Sequence, residues 1–249
     1  MKRARLKVVV AGSGGKMGRT LIEAVGADKA LRLAASFDIG DNAAKAVAAG
    51  DVLIDFTRPE GTLAHMAHCL KLGKGMVIGT TGFGDEAQAK IRDASKRIPI
   101  ALAPNFSVGV NVLGKLAGEA AAILGEDYDV EIIEAHHRQK VDAPSGTALM
   151  LGEMVAASLK RNLEKVARHG REGEVGARPG KQIGFHAIRG GDIVGEHTVL
   201  FAGTGERLEL TVRSQSRMTY ALGALRAVKF LSGKRAGLYG IWDVLGKRD

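Results

Sequence analysis

The apolar positions of this chain follow two regimes. Up to residue 107 they come in short, nearly continuous runs: Leu6 to Ala11, Leu31 to Phe37, Asp51 to Phe56, Lys74 to Ile78 and Ile98 to Ala103. Runs of that length without alternation belong to strands buried on both faces, as in a parallel sheet. Between them, residues 19–25, 60–72 and 85–97 repeat apolar positions at helical spacing, and 41–50 is short and Ala-rich. This strand–helix rhythm predicts an α/β fold built on a doubly wound parallel sheet with right-handed crossovers.

Beyond Ser107 the rhythm changes. Val110 to Leu124 reads as a helix, Tyr128 to Ile133 alternates like a half-buried strand, and 146–160 is helical again. His169 to Lys181 is a Gly- and charge-rich loop of the kind that becomes mobile. Gln182–Arg189, Ile193–Phe201 and Arg207–Ser214 are three successive strands, which implies a second sheet that is antiparallel or mixed. Residues 219–231 return to helix, and 237–245 read as a closing helix or turn carrying the only Trp, Trp242. The expected division is a first domain of residues 1–107 and 217–249 and a second α+β domain over 108–216.

Glycines sharpen the first domain. Gly12-Ser-Gly-Gly-Lys-Met-Gly18 follows the first strand at once and opens a helix. Started at Gly12, G-x-G-x-x-G fails because position 17 is Met; G-x-x-G-x-x-G succeeds through Gly12, Gly15 and Gly18. Strand, glycine turn and helix form the Rossmann-like context for binding a dinucleotide, with the pyrophosphate on the helix N-terminus. Asp38 ends the second strand, where an acid can accept from an adenosine ribose; the plainer alternative is a turn Asp before Gly40. Gly79-Thr-Thr-Gly82 leaves the fourth strand, small enough for a cofactor to pass close to backbone.

In the second domain one stretch gathers the chemistry. Glu134 to Ala148 holds His136, His137, Arg138 and Lys140, then Asp142 and Pro144, then Ser145-Gly146-Thr147 at the start of a helix. A basic cluster beside free helix N-terminal amides would meet a carboxylate from both sides. His136 and Lys140 could also exchange protons with such a ligand. The plainer reading is a solvated basic turn with a Ser N-cap, but this cluster ends a strand that feeds a helix, where α/β proteins place ligands. Ser145 lacks the G-x-S-x-G setting of a nucleophile. His65, His68 and Cys69 share a helix at i, i+3 and i+4; with no fourth ligand nearby they are assigned to packing, not to a metal.

Composition narrows the class. The 249 residues leave room for one large or two modest domains, and 45% hydrophobic with 25% charged residues is ordinary for a globular chain. A single cysteine excludes an internal disulfide and fits a reducing compartment. The basic start, residues 1–7, is followed by an apolar run too short for a signal segment or a membrane span, so a cytoplasmic location is expected. The net charge of +9 is dispersed, aromatics are few and no helix–turn–helix or zinc-finger spacing occurs. Small anions, rather than nucleic acid or membrane, are therefore the expected partners.

Read as one pattern, Glu134-Ala-His-His-Arg-x-Lys-Val-Asp-Ala-Pro-Ser-Gly-Thr-Ala148 resembles the signature of the 4-hydroxy-tetrahydrodipicolinate (dihydrodipicolinate) reductase family. Residues 10–18, 54–59, 77–82, 105–111 and 191–197 are similar to its other motifs, so the resemblance covers nearly the whole chain. It implies NAD(P)H-dependent reduction of a cyclic imine dicarboxylate in diaminopimelate and lysine synthesis. It implies a cofactor site at Gly12, Ser13, Gly14, Gly15, Lys16, Met17, Asp38, Gly79, Thr80, Thr81, Ala103, Pro104, Asn105 and Phe106. His136 would be proton donor or acceptor, Lys140 proton donor, and His137, Gly146 and Thr147 would hold substrate. A homotetramer built through the second domain's sheet is also implied. The segment from Asp38 to Asp51 is shorter than in long members. Many relatives follow the acid with Arg, which can meet a 2′-phosphate; here Ile39 follows. Lys16 and the net charge favour the more anionic NADPH, but the local Asp38–Ile39 pair should outweigh them, so NADH is expected to serve at least as well.

Overall fold

The computed structural model describes residues 4–246 and divides the chain into two compact units, Met1–Val108 with Arg217–Asp249, and Gly109–Ser216. The first three residues of the basic start and the last three of the chain lie outside the described residues.

The first unit is a six-stranded parallel sheet. Its strands are β1 (Leu6–Ala11), β2 (Leu31–Phe37), β3 (Val52–Asp55), β4 (Gly75–Ile78), β5 (Pro99–Leu102) and β11 (Gly237–Tyr239). Their order across the sheet is β11-β5-β4-β3-β1-β2. Chain direction across the sheet reverses between β1 and β3, and the crevice at the carboxyl ends of such a pair is where open α/β sheets bind ligands.

The continuous apolar runs are explained by packing on both faces. Val8 and Val10 join one core with Leu21 and Val25 of α1 (Lys16–Ala27) and Ala224, Leu225 and Val228 of α8 (Met218–Leu231). Val9 and Ala11 join the other, with Met66 and Cys69 of α3 (Pro59–Leu72) and Ile91 of α4 (Asp85–Ser95). The abrupt Asp38–Asp51 segment holds a one-and-a-half-turn helix, α2 (Ala43–Ala48), capped by the Asn42 side chain on the Lys45 amide.

The expectation for 237–245 needs correction. Gly237–Tyr239 is an edge strand beside β5, and only Ile241–Leu245 (α9) is helical. Three residues opening on glycine are too short for a period-2 signal; pairing with β5 decides their conformation.

The second unit packs a mixed five-stranded sheet, order β10-β9-β6-β8-β7, against α5 (Val108–Leu124) and α6 (Gly146–Ser158). Here β6 is Asp129–His136, β7 Ala167–His169, β8 Ile183–Arg189, β9 Gly195–Ala202 and β10 Arg207–Ser214. β6 runs parallel to β8 and antiparallel to β9. A short helix, α7 (Leu163–Val166), precedes β7.

The 170–182 stretch has no regular structure but is fastened by ion pairs. Arg171 and Arg178 both reach Glu131 at 2.8 Å, and Arg178 also meets Asp129 and the Val130 and Gln182 carbonyls. Burial raises the pKa of Glu131, but Arg171, Arg178 and His186 outweigh it and bring it to about 2. This loop is charge-rich because it carries the counterions of a half-buried carboxylate.

Candidate active site

In the first unit the glycine turn is shaped by close approach. Gly12 has a φ of +68°, a left-handed conformation that glycine adopts without strain. A Cβ on Gly18 would lie 2.0 Å from the Gly12 carbonyl oxygen, so the helix can start this near the strand only with glycine there. Gly14 falls outside the G-x-x-G-x-x-G register, yet a Cβ on it would lie 2.7 Å from Asp38 Oδ2. The reason is a hydrogen bond: the Gly14 amide donates to Asp38 Oδ2 at 2.7 Å, and the Ile39 amide donates to Oδ1 at 2.8 Å. These two amides hold the Asp38 carboxyl below its usual range. α1 has no side-chain N-cap, so its first-turn amides are not capped by a side chain and are available to an anion.

Around this turn lies a cavity of about 540 Å³ lined by Gly12, Gly15, Asp38, Ile39, Arg58 and His65 among others. It sits at the reversal between β1 and β3. Lys16 is exposed, Met17 half-buried, and Ile39 fully exposed at 101%. Gly79, Thr80 and Thr81 follow β4, and Ala103, Pro104, Asn105 and Phe106 follow β5, along the same carboxyl edge; none of them lines this cavity. Thr81 and Pro104 are exposed, whereas Thr80 turns inward and Phe106 is buried in the core.

Beneath the cavity wall is a cluster that sequence reasoning missed. Asp55, at the end of β3, is fully buried and accepts from the Thr57 amide and hydroxyl, the Thr62 hydroxyl and His65 Nδ1, the last at 2.7 Å. Burial raises the Asp55 pKa, and His65 and Thr57 more than offset it, leaving the carboxyl below its usual range. His65, assigned from sequence to packing, is thus the partner of a buried carboxylate, and its ring edge also meets Phe37. The available signal was an Asp directly after the apolar Val-Leu-Ile run. Cys69 is buried and its thiol is pushed up to about 12, chiefly by burial. Among the described residues no group of three His, Cys, Asp or Glu could hold a metal ion.

In the second unit strand period builds the site. Val130, Ile132, Glu134 and His136 all fall on the buried face of β6. Glu134 and His136, two apart, are therefore neighbours, and His136 Nδ1 lies 2.5 Å from Glu134 Oε2. Arg189 pairs in register with His136 across β8 and reaches back to grip Glu134 with both terminal guanidinium nitrogens, at 2.7 and 2.8 Å. His197 pairs in register with Glu134 across β9, and its ring meets that of His136 edge-on with centroids 5.1 Å apart. The Ser145 amide gives Glu134 Oε1 a further hydrogen bond at 3.0 Å.

Charges here are set by neighbours. Burial raises the Glu134 pKa, but Arg189, His136 and the Ser145 amide bring the net result below the usual value. Burial lowers the His136 pKa, Glu134 pulls it up, and Lys140 and Arg189 push it down, with a net lowering. Burial and the neighbouring His136 lower His197 to about 4, so it is neutral at pH 7. Lys140 Nζ lies 2.8 and 2.9 Å from the Asp142 oxygens.

Ser145 caps α6 by accepting from the Ala148 amide, and its hydroxyl lies 3.1 Å from His197 Nε2. At 2% exposure it is unsuited to nucleophilic attack. Gly146 is exposed with nothing within 4 Å of a would-be Cβ, Thr147 is half-buried, and His137 Nδ1 is buried without a hydrogen-bond partner. The structure thus brings His136, Lys140 and the α6 first turn onto one framework, and adds Glu134, Arg189 and His197.

A Rossmann-like unit with a glycine turn, an acid at the end of β2 and a cavity at the strand reversal, on a chain that also carries a buried histidine–carboxylate pair, defines a nicotinamide-dependent oxidoreductase. The family models described as dihydrodipicolinate reductase, N-terminus, and dihydrodipicolinate reductase, C-terminus, match residues 6–106 and 109–245. The chain therefore belongs to the dihydrodipicolinate reductase family. A protein of Aromatoleum aromaticum named 4-hydroxy-tetrahydrodipicolinate reductase is 53% identical over 265 residues, covering 98% of this chain and 96% of that one. Its namesake from Dechloromonas aromatica is 52% identical, covering 97% and 98%. An alignment of 265 residues exceeds the 249 of this chain, so the Aromatoleum relative carries residues that this chain lacks. The dipicolinate-bound dihydrodipicolinate reductase of Paenisporosarcina sp. TG-14 has a TM-score of 0.76 at 28% identity, covering 96% of this chain and 99% of that one.

Proposed function

We propose that this oxidoreductase reduces 4-hydroxy-tetrahydrodipicolinate to tetrahydrodipicolinate, the reduction step of diaminopimelate and lysine synthesis. The observation that carries the reading is a buried His136 held by Glu134, on the same framework as Lys140 and an α6 first turn open at Gly146. In this reading the first unit binds the dinucleotide and the second binds substrate.

The residues of the first unit fit the cofactor. The α1 amides from Lys16 and Met17 onward would hold the pyrophosphate, Asp38 would accept from the ribose, and residues after β4 and β5 would hold the nicotinamide half. Nicotinamide, when bound, supplies a hydride. Two carboxylates of the substrate meet His137, Lys140 and the amides of Gly146 and Thr147. Their negative charge raises the proton affinity of His136, which is otherwise lowered. Loss of the 4-hydroxyl as water gives the conjugated imine; negative charge that a hydride would place on it would then be stabilised and protonated by Lys140 and His136.

NADH serves at least as well as NADPH. Support comes from the cavity wall: it carries three carboxylates, Asp38, Asp41 and Glu60, against one arginine, Arg58, and exposed Ile39 offers no cation to a 2′-phosphate. A homotetramer through the second sheet would use the face opposite α5 and α6, where Ile188 of β8 is exposed. A cytoplasmic location is proposed with this reading; among the described residues no helix is long and apolar enough to cross a membrane.

The direct test supplies pyruvate, aspartate semialdehyde and the preceding synthase, and follows oxidation of NADH. Oxidation only with all three present is expected. No oxidation with either dinucleotide would overturn the reading.

A further inference from the structure

We propose that Glu134 is the positioning residue of the reductase site, one buried carboxylate that fixes both the tautomer of His136 and the first turn of α6. This rests on the functional reading above and goes one layer beneath it. Glu134 is 1% exposed, and all four hydrogen bonds it receives come from donors: two from Arg189, one from the Ser145 amide and one from His136.

An ionised carboxylate can only accept. The Nδ1 of His136 must therefore carry a hydrogen, which leaves Nε2 as the nitrogen that takes and gives the catalytic proton. Arg189 already balances the charge of Glu134, so His136 is not locked as an imidazolium by its partner. The groups that face its ring are Glu134 on β6, Lys140 in the following loop, Arg189 on β8 and His197 on β9. The other oxygen of Glu134 takes the Ser145 amide, the N-cap of α6. The same carboxylate thus aims the proton-transfer nitrogen and places the amides of Gly146 and Thr147.

Glu134→Gln separates this role from mere support. A glutamine must point its NH₂ at one of the former partners. Arg189 bonds both oxygens, so either orientation sets the NH₂ against one of its nitrogens; at the Oε2 position the NH₂ also faces His136, which alone can become an acceptor, by moving its hydrogen to Nε2. Wild-type protein labelled with ¹⁵N-histidine, with pyridine-2,6-dicarboxylate bound, is expected to show neutral or charged His136 with hydrogen on Nδ1. The variant should show Nε2–H, and kcat should fall about 100-fold or more. KM for the dicarboxylate should rise while KM for NADH stays unchanged. A wild-type His136 found as the Nε2–H tautomer would overturn the proposal even if the variant fails to fold. So would a folded variant with an unchanged tautomer or a kcat within about threefold of wild type. A wild-type protein with no reductase activity would instead sink the functional reading, since the tautomer is read without turnover.

Discussion

Each unit buries one carboxylate at the end of a strand and gives it a histidine. Asp55 ends β3 and holds His65; Glu134 lies near the end of β6 and holds His136. The two differ in what else surrounds the acid. Asp55 is satisfied by a backbone amide and threonine hydroxyls, with His65 the one group in its cluster able to bring positive charge. Glu134 has a bidentate arginine. A carboxylate that depends on its histidine binds that histidine into the structure. A carboxylate neutralised by arginine leaves its histidine able to change protonation. The first arrangement suits a wall beside a cofactor that brings its own chemistry; the second suits a site that must move protons.

The largest effect expected from this contrast is at Lys140, the cation of the second cluster that is paired with Asp142 rather than with Glu134. Lys140→Ala should lower kcat about 10²–10⁴-fold with unchanged dinucleotide affinity, measured by steady-state kinetics and fluorescence titration. Asp55→Asn should leave His65 and the threonines short of an acceptor and cost about 1–3 kcal/mol of stability, read by denaturant unfolding. A variant as stable as wild type would remove the structural role given to that cluster.

Cofactor choice gives a smaller effect. Ile39→Arg should shift kcat/KM toward NADPH by several-fold, and Lys16→Ala should hurt NADPH more than NADH. A wild-type preference for NADPH of roughly tenfold, about 1.4 kcal/mol, would contradict the role given to Asp38 and Ile39.

Protonation offers a test of sign. His136 is lowered from 6.5 in the free protein, so it is mostly neutral at pH 7. A dicarboxylate raises it, so binding of pyridine-2,6-dicarboxylate should take up a fraction of a proton. Calorimetry in buffers of different ionisation enthalpy reads this directly; proton release would reverse the assignment. Least affected should be Cys69→Ser, whose buried thiol pushed up to about 12 makes a poor nucleophile, with activity unchanged in the folded variant.

Much of this contrast lay in the sequence, for physical reasons that can be named. The parallel sheet was legible because burial on both faces leaves continuous apolar runs. The glycine turn was legible because its partners are local. His136, Lys140, Gly146 and Thr147 are close in the chain, so their clustering was visible before any fold was known. Arg189 and His197 enter through strand register with β8 and β9, more than fifty residues after His136; His197 closes the 191–197 motif, but nothing local there gives either residue a role at this site. The Asp55–His65 pair crosses a strand, a loop and a helix turn, and a helix face with Leu63, Met66 and Leu70 hid the histidine among apolar neighbours. Gly14 was obscured by register, since its need for glycine comes from Asp38 rather than from the helix start. The three-residue strands β7 and β11 owe their conformation to the sheets they join.

The contrast is tested most directly by replacing each histidine with asparagine, which keeps a donor near the Nδ1 position for its carboxylate and removes Nε2. Turnover of NADH with 4-hydroxy-tetrahydrodipicolinate is then measured for both variants at saturating substrate. His136→Asn should lose about 10²-fold or more in kcat, whereas His65→Asn should stay within a few-fold of wild type. Equal losses in the two variants, or a larger loss at His65, would contradict the account.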